Sequence, residues 1–440
     1  MTALPPFPPT AKPFPTNARA TKVPMQYVPQ LSLAERDRRW ARVRKRMLLA
    51  GLDALIFLGN DIYWGMGMAN IRYLFQIDSQ LAAEALFPMS GGPVVWNNVP
   101  HMNRPTNMYL SLQEWTSDIR TKAGIAGIAS EIKSRGLDGG RLGLVGFSST
   151  IQTTPTLLHD DVEALKKQLP KATFVQASWL LEELRIVKSE EEINMLRKAG
   201  EIARKVVDTM IDTARPGIPE AVVYGAMINT QISNGAEPNI FNLFASGPIE
   251  HPSEELWHML HGCEQPLSPT MRPLADGDLI LTEWHTKFGG YRCHTEYTVY
   301  LGKRAPDPLR RIWDVSVECL EASKSALVAG RTVREAVDMI RKPADKAGLD
   351  FVELGFHAMG LASPEFPTVI YREGYGHNAL NGFNIGDMQL EEGMAFGNNI
   401  DLHDSRWKPD VGCMLSDFMI VRPNRAECLV GTPTEMALVS

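Results

Sequence analysis

The chain has 440 residues, of which 44% are hydrophobic and 22% charged, and its 45 Lys and Arg against 51 Asp and Glu leave a net charge of −6. That length holds two or three domains with a large core, and the balance excludes disordered, collagenous and disulfide-stapled chains. No block of like charges favours nucleic acid and no apolar run of about 18 residues favours a membrane, so the expected partner is a small molecule.

The N-terminus lacks the basic-then-apolar pattern of a secretion signal, which leads to the expectation of a cytoplasmic protein. Five cysteines (Cys263, Cys293, Cys319, Cys413, Cys428) are widely spaced and lack a CxxC pair, the usage of reduced, buried thiols. Of ten histidines, only His101 and His159 precede residue 250, which directs attention to the C-terminal half for chemistry.

Residues 1–30 hold eight prolines, which excludes a regular helix or central strand and predicts an extended arm; Phe7, Phe14 and Tyr27 are its candidate anchors on a second subunit. From Ser32 to Leu52 an apolar stripe (Leu33, Trp40, Val43, Met47) keeps helical spacing up to Gly51, and a strand follows at 53–58. Apolar runs at 93–96, 142–145 and 173–175, with helical stretches near 118–135 and 155–168, predict an α/β domain over residues 31–182. A long helix then starts at Ser189, with Glu192 at the capping-box position, and stops at Arg215-Pro216-Gly217. Further helices are predicted from Pro219 to before Gly235, near 308–328 and over 332–347, so residues 183–440 are read as an α+β domain with helices on one face of a curved sheet.

The stretch from Leu279 to Leu301 carries the strongest chemical signal. Gly289-Gly290 between two alternating runs predicts a hairpin with a two-residue turn, in which opposed residues have numbers summing to 579. Glu283 then faces Glu296, His285 faces His294, and all four share one face. Two carboxylates at that distance raise one another's pKa unless a cation, a shared proton or a charged substrate relieves them. A solvated face with two cross-strand ion pairs is the alternative.

Several motifs resemble the pita-bread family of aminopeptidase P, prolidase and creatinase: Arg185-x-x-Lys188-Ser189-x-x-Glu192-Ile193, Asn70-Ile71-Arg72-Tyr73, Ala329-Gly330-Arg331-Thr332, Glu392-Gly393-Met394 and the hairpin itself. The resemblance spans about residues 32–435. It implies a ribonuclease-H-like α/β N-terminal domain of creatinase type and an α+β pita-bread C-terminal domain. It also implies a homodimer with shared active sites, to which the segment Phe75–Leu81 would contribute.

The metallopeptidases of this family hold two metals through two Asp, one His and two Glu. Here Glu283 and His294 stand at the Asp positions, His357 matches the His, and Asn399 and Ser416 replace the Glu residues, with Asp417 following; a second family His is Pro364. No dinuclear centre and no cofactor are therefore expected, a single zinc or iron ion on His285, His294, His357 and Glu283 being the alternative. Glu296 is similar to a Glu in the second hairpin strand of metal-free creatinase, and His357 to its substrate-contacting His. Ser246-Gly247-Pro248 and Pro364-Glu365-Phe366-Pro367 resemble the DMSP lyase of this fold, whose catalytic Asp is replaced by Ser363.

The leading expectation is a creatinase-like hydrolase of a C–N bond in a small polar compound. His251 is the candidate base, with His258 and His261 as rivals; Glu283, Glu296 and His357 complete the catalytic set. His285, His294, Glu365, Arg372, Asn399 and Asp417 are candidates for binding substrate, while His377 and His403 read as loop histidines. The alternatives are a lyase, an Xaa-Pro peptidase-like enzyme and a degenerate binding protein.

Overall fold

The structure, a computed structural model, describes residues 29–60, 67–77, 82–97, 114–121, 124–147, 157–238, 242–250, 269–370 and 384–440. His251, His258, His261, Arg372, His377, Cys263, the anchors Phe7, Phe14 and Tyr27, and residues 78–81 of the proposed contributing segment lie outside them.

The first helix runs Leu33–Ala50. Ser32 caps it by accepting the Glu35 N–H at 3.1 Å, and Gly51 ends it with φ 63°, a left-handed conformation that costs glycine nothing. Next to it stand six strands: β1 (Ala54–Asn60), β2 (Ala82–Pro88), β3 (Val94–Asn97), β4 (Ile119–Thr121), β5 (Arg141–Val145) and β6 (Thr173–Gln176). Their order is β4-β3-β2-β1-β5-β6, with β2 antiparallel to both its neighbours and the remaining pairs parallel. The helix expected near 118–135 starts only at Gly124, because Ile119–Thr121 pairs with β3 instead. Phe75 and Ile77 are buried in an apolar cluster that also takes in Tyr291, Met359 and Phe418.

The second unit opens with the helix Glu190–Thr213, whose capping box is complete: the Glu192 N–H donates to Ser189 Oγ, and the Ser189 N–H donates back to the Glu192 carboxylate at 2.9 Å. Three more helices, Glu220–Ser233, Asp307–Ala326 and Val333–Ala347, fall where the apolar periodicity puts them. The strands are β7 (Asn242–Pro248), β8 (Asp278–Phe288), β9 (Tyr291–Leu301), β10 (Asp350–Ala358), β11 (Glu365–Val369), β12 (Ala395–Asp404), β13 (Lys408–Met414), β14 (Phe418–Ile420), β15 (Glu427–Cys428) and β16 (Ala437–Val439). They form two sheets, β16-β9-β8-β7 and β11-β10-β12-β14-β15 with β13 on β12, where the sequence suggested one. The sheets meet at a seam: the Glu296 N–H donates to Ser416 Oγ at 2.6 Å and the Ser416 N–H donates to the Glu296 carbonyl at 3.2 Å. Helices cover the far side of both sheets in one continuous apolar cluster. Each fully buried Leu, Ile or Phe in it contributes roughly 1.5–3 kcal/mol.

Four of the five cysteines are described; all are free, and Cys293, Cys319 and Cys413 are buried.

The tip of the β8–β9 hairpin is held by the first unit. Arg72 pairs with both oxygens of Glu237, at 2.9 and 2.7 Å, and Glu237 also accepts the Gly290 N–H at 2.7 Å. Gly290 has φ 87°, and a Cβ there would overlap the Arg72 guanidinium. Gly290→Ala should therefore lower unfolding stability by about 2–4 kcal/mol, combining left-handed strain with a disturbed charged hydrogen bond. A urea midpoint within error of wild type would contradict this.

Candidate active site

The hairpin has the register read from the sequence. Glu283 is opposite Glu296, His285 opposite His294, and Phe288 opposite Tyr291 around glycines with φ 57° and 87°. Three imidazoles stack in a row: His285 on His294 with ring centroids 5.5 Å apart, and His294 on His357 at 5.2 Å. His357 arrives from β10, which pairs with β12 so that His357 faces Gly397 and Gly355 faces Asn399. Gly397 is required here, since a Cβ on it would overlap the His294 ring.

Glu296, with no exposed surface, lies at the centre of a hydrogen-bonded cluster. Asn399 Nδ2 donates to Glu296 Oε1 and to Glu353 Oε2, each at 2.9 Å. That double donation fixes the amide orientation, because only the NH2 end can face two carboxylates. Ser416 Oγ accepts the Glu296 N–H and lies 3.3 Å from His294 Nε2, the imidazole tautomer setting which of the two donates. Glu283 sits at the edge of the cluster, its side chain 12% exposed, with Oε1 3.0 Å from His285 Nε2.

Burial and then the neighbouring Glu283 hold Glu296 well above the ordinary carboxylate range. Burial, followed by the charges of Glu296, Glu353 and Glu283, does the same to Asp401. The Glu296 charge is among the causes that raise Asp401, so the two carboxyls titrate as a pair. Burial and then His294 push His285 and His357 well below the usual imidazole range, and burial lowers His294 against the pull of Glu283 and Asp417. At neutral pH the histidines are therefore uncharged.

The structure thus brings together Glu283, Glu296, His285, His294, His357 and Asn399. Two residues expected at the site are engaged elsewhere. Glu365 is buried between Lys188 at 2.8 Å and Arg185 at 3.2 Å, and accepts the Ala362 N–H. Asp417 accepts three backbone N–H groups, from Phe418, Val430 and Thr432. Both carboxylates are engaged in these folding contacts. Glu353 and Asp401 were missed. The signal for each was parity: Glu353 is four residues before His357, and Asp401 is two after Asn399, so alternation puts them on the same faces.

The two-metal set of the resembling peptidases does not fit. Its bridging positions are Asn399, which turns a donor toward its neighbours, and Ser416, whose hydroxyl serves Glu296 and His294. A single ion fits differently from the set read off the sequence: ligand atoms of Glu283, His294 and Glu296 lie within 4.8 Å of one another, with Glu296 in place of His285 and His357.

The pattern of metallopeptidase family M24 matches residues 194–423, and that of the creatinase/prolidase N-terminal domain matches residues 39–187. The chain belongs to this family and has its two-domain, pita-bread architecture. An Xaa-Pro dipeptidase of Lactobacillus helveticus is 27% identical over 236 residues, 53% of this chain and 57% of that protein. The chain thus spans little more than half of that relative's length. An Xaa-Pro dipeptidase of Pyrococcus furiosus is 24% identical over 293 residues, covering 66% of this chain and 76% of its own. In fold, the chain resembles an Xaa-Pro dipeptidase from Bacillus anthracis with a TM-score of 0.71 at 21% identity, covering 92% of this chain and 100% of that one.

Proposed function

We propose that this protein hydrolyses a C–N bond of the amide or amidine type in a small polar compound, and does so without a dinuclear metal centre. The observation that carries the reading is the carboxylate-rich floor formed by Glu283 opposite Glu296, with neutral Asn399 and Ser416 at the positions where the peptidases carry bridging Glu. Such a floor stabilises positive charge, so it favours a substrate, or a site ion, that is cationic as the bond breaks. Glu283, the exposed member of the pair, faces the entering compound; His357, stacked on His294, hydrogen-bonds the reacting group. His251, outside the described residues, carries the proton from water to the leaving nitrogen.

The names of the relatives favour a second reading, cleavage of Xaa-Pro dipeptides. Against it stand the two neutral bridging positions. The proposed dimer follows the family resemblance; among the described residues no helix is long and apolar enough to cross a membrane.

A substrate panel separates the readings. Guanidino acids, amidines, N-acyl amino acids and Xaa-Pro dipeptides are incubated with the protein and hydrolysis is followed by mass spectrometry. Turnover of guanidino, amidine or simple amide compounds at least about 100-fold above that of the dipeptides is expected. Preference for Xaa-Pro dipeptides would replace this reading by the second one, and elimination products would replace it by a lyase.

A further inference from the structure

We propose that one end of the first unit, where β1, β5 and β6 begin, is a docking face for an anionic lipid surface. Leu48 and Leu49 enter the headgroup layer, and Lys45, Lys133, Arg141, Lys167 and Lys171 pair with lipid phosphate and carboxylate groups. The inference is independent of the hydrolase reading and of the carboxylate cluster.

Topology gathers these residues from distant parts of the chain. β1, β5 and β6 are parallel neighbours, and each is preceded by a helix: Leu33–Ala50, Gly124–Ser134 and His159–Gln168. A helix that leads into a parallel strand runs back along the sheet and ends where the strand begins, so the three helix C-termini share one end of the unit. Lys45, Lys133 and Lys167 come from these helix ends, Arg141 opens β5, and Lys171 stands in the turn before β6. Backbone bonds tie the face together: the Asp53 N–H donates to the Arg141 carbonyl at 2.9 Å, the Met89 N–H to Asp53 at 2.8 Å and the Thr173 N–H to Gly140 at 2.9 Å. Arg44 and Arg135 donate to the adjacent Gly91 and Gly92 carbonyls at 2.6 and 2.8 Å.

Charge and exposure together say what covers this face. All five cations are exposed, and none has an ion-pair partner among the described residues. The acids nearby are committed: Glu131 to Arg120 and Arg135, Glu163 to Lys166, and Asp53 to the Arg141 N–H. Asp138 is left beside them. Leu48 and Leu49 are 68% and 70% exposed, side by side at the same end. Cations in a last turn complement the helix macrodipole, but Arg141 and Lys171 lie outside the helices, and the dipole does not account for two leucines in water. A nucleic acid would meet the cations and leave the leucines unused; among the described residues no aromatic side chain is exposed there for base stacking. A bilayer rich in acidic lipid meets both, with anions for the cations and an interfacial layer for the leucines. The net charge of −6 does not prevent this, because salt confines each charge to a reach of about 8 Å.

The test mixes the full chain with vesicles of phosphatidylcholine alone, or with about 30% phosphatidylserine, and measures sedimented protein in about 0.1 M salt. Binding is expected to the serine-containing vesicles only, weakened at least about 10-fold in about 0.5 M NaCl. Leu48→Ser with Leu49→Ser should weaken it at least about 10-fold, and Lys45→Gln with Lys133→Gln and Lys171→Gln about 100-fold. Both variants should keep the wild-type melting temperature, since all five side chains are exposed. The proposal is overturned by no binding to the acidic vesicles, by equal binding to phosphatidylcholine, or by unchanged binding of either variant. Tighter binding to a DNA duplex than to the vesicles would also overturn it and assign the face to nucleic acid.

Discussion

Glu296→Gln should reduce kcat/KM by the equivalent of about 2–4 kcal/mol of transition-state stabilisation, the scale for loss of one preorganised electrostatic partner. The substitution keeps the fold. The Gln carbonyl can still accept from Asn399 Nδ2. Stability should hold or rise, since one of several close acidic groups is removed. Lys287→Gln is the proper comparison, being on the same face but near the turn, where Lys287 pairs with Glu237 at 3.3 Å. Steady-state kinetics of both variants on whichever panel compound turns over would decide. Equal and negligible losses would remove the hairpin from catalysis altogether.

Glu365→Gln should act on stability instead. Its carboxylate is 4% exposed and offsets two cations, Lys188 and Arg185, that would otherwise be buried without a counter-charge. Breaking a buried pair from one side costs about 3–5 kcal/mol, and here the lower end is expected because Lys188 also donates to the Arg185 carbonyl at 2.7 Å. Burial alone would raise the Glu365 pKa, but the two cations outweigh it and hold the group below its usual 4.5. A folded pKa below the unfolded one means stability that is present above pH 4.5 and is lost as pH falls through the folded value. Urea melts between neutrality and pH 3 should therefore converge for wild type and Glu365→Gln at the acid end. Parallel curves would show that the ion pair contributes nothing.

The hairpin was legible because its information is local. Two glycines define the turn, the turn sets the register, and period-2 alternation then puts Glu283, His285, His294 and Glu296 on one face. The capping box at Ser189 and the glycine stop at Gly51 are equally local and lie where the residues point. Glu365 and Asp417 went the other way. Each is an acidic residue beside a family motif, and nothing nearby in the chain announces that Lys188, far upstream, or the backbone N–H of Thr432 will claim it.

What the sequence by itself determined is the class of fold, the order of its long helices and the hairpin register. Tertiary structure alone decided the rest of the site. Glu353 and Asp401 join Glu296 only because β10 and β12 pair antiparallel and abut β9 at the Ser416 seam. Such strand pairing is a choice among distant segments, set by packing of both sheets against the helices, and no short-range pattern encodes it. The same packing removes water from the cluster, and that desolvation, absent from any reading of residue types, keeps the imidazoles neutral and holds Glu296 and Asp401 above the ordinary carboxylate range.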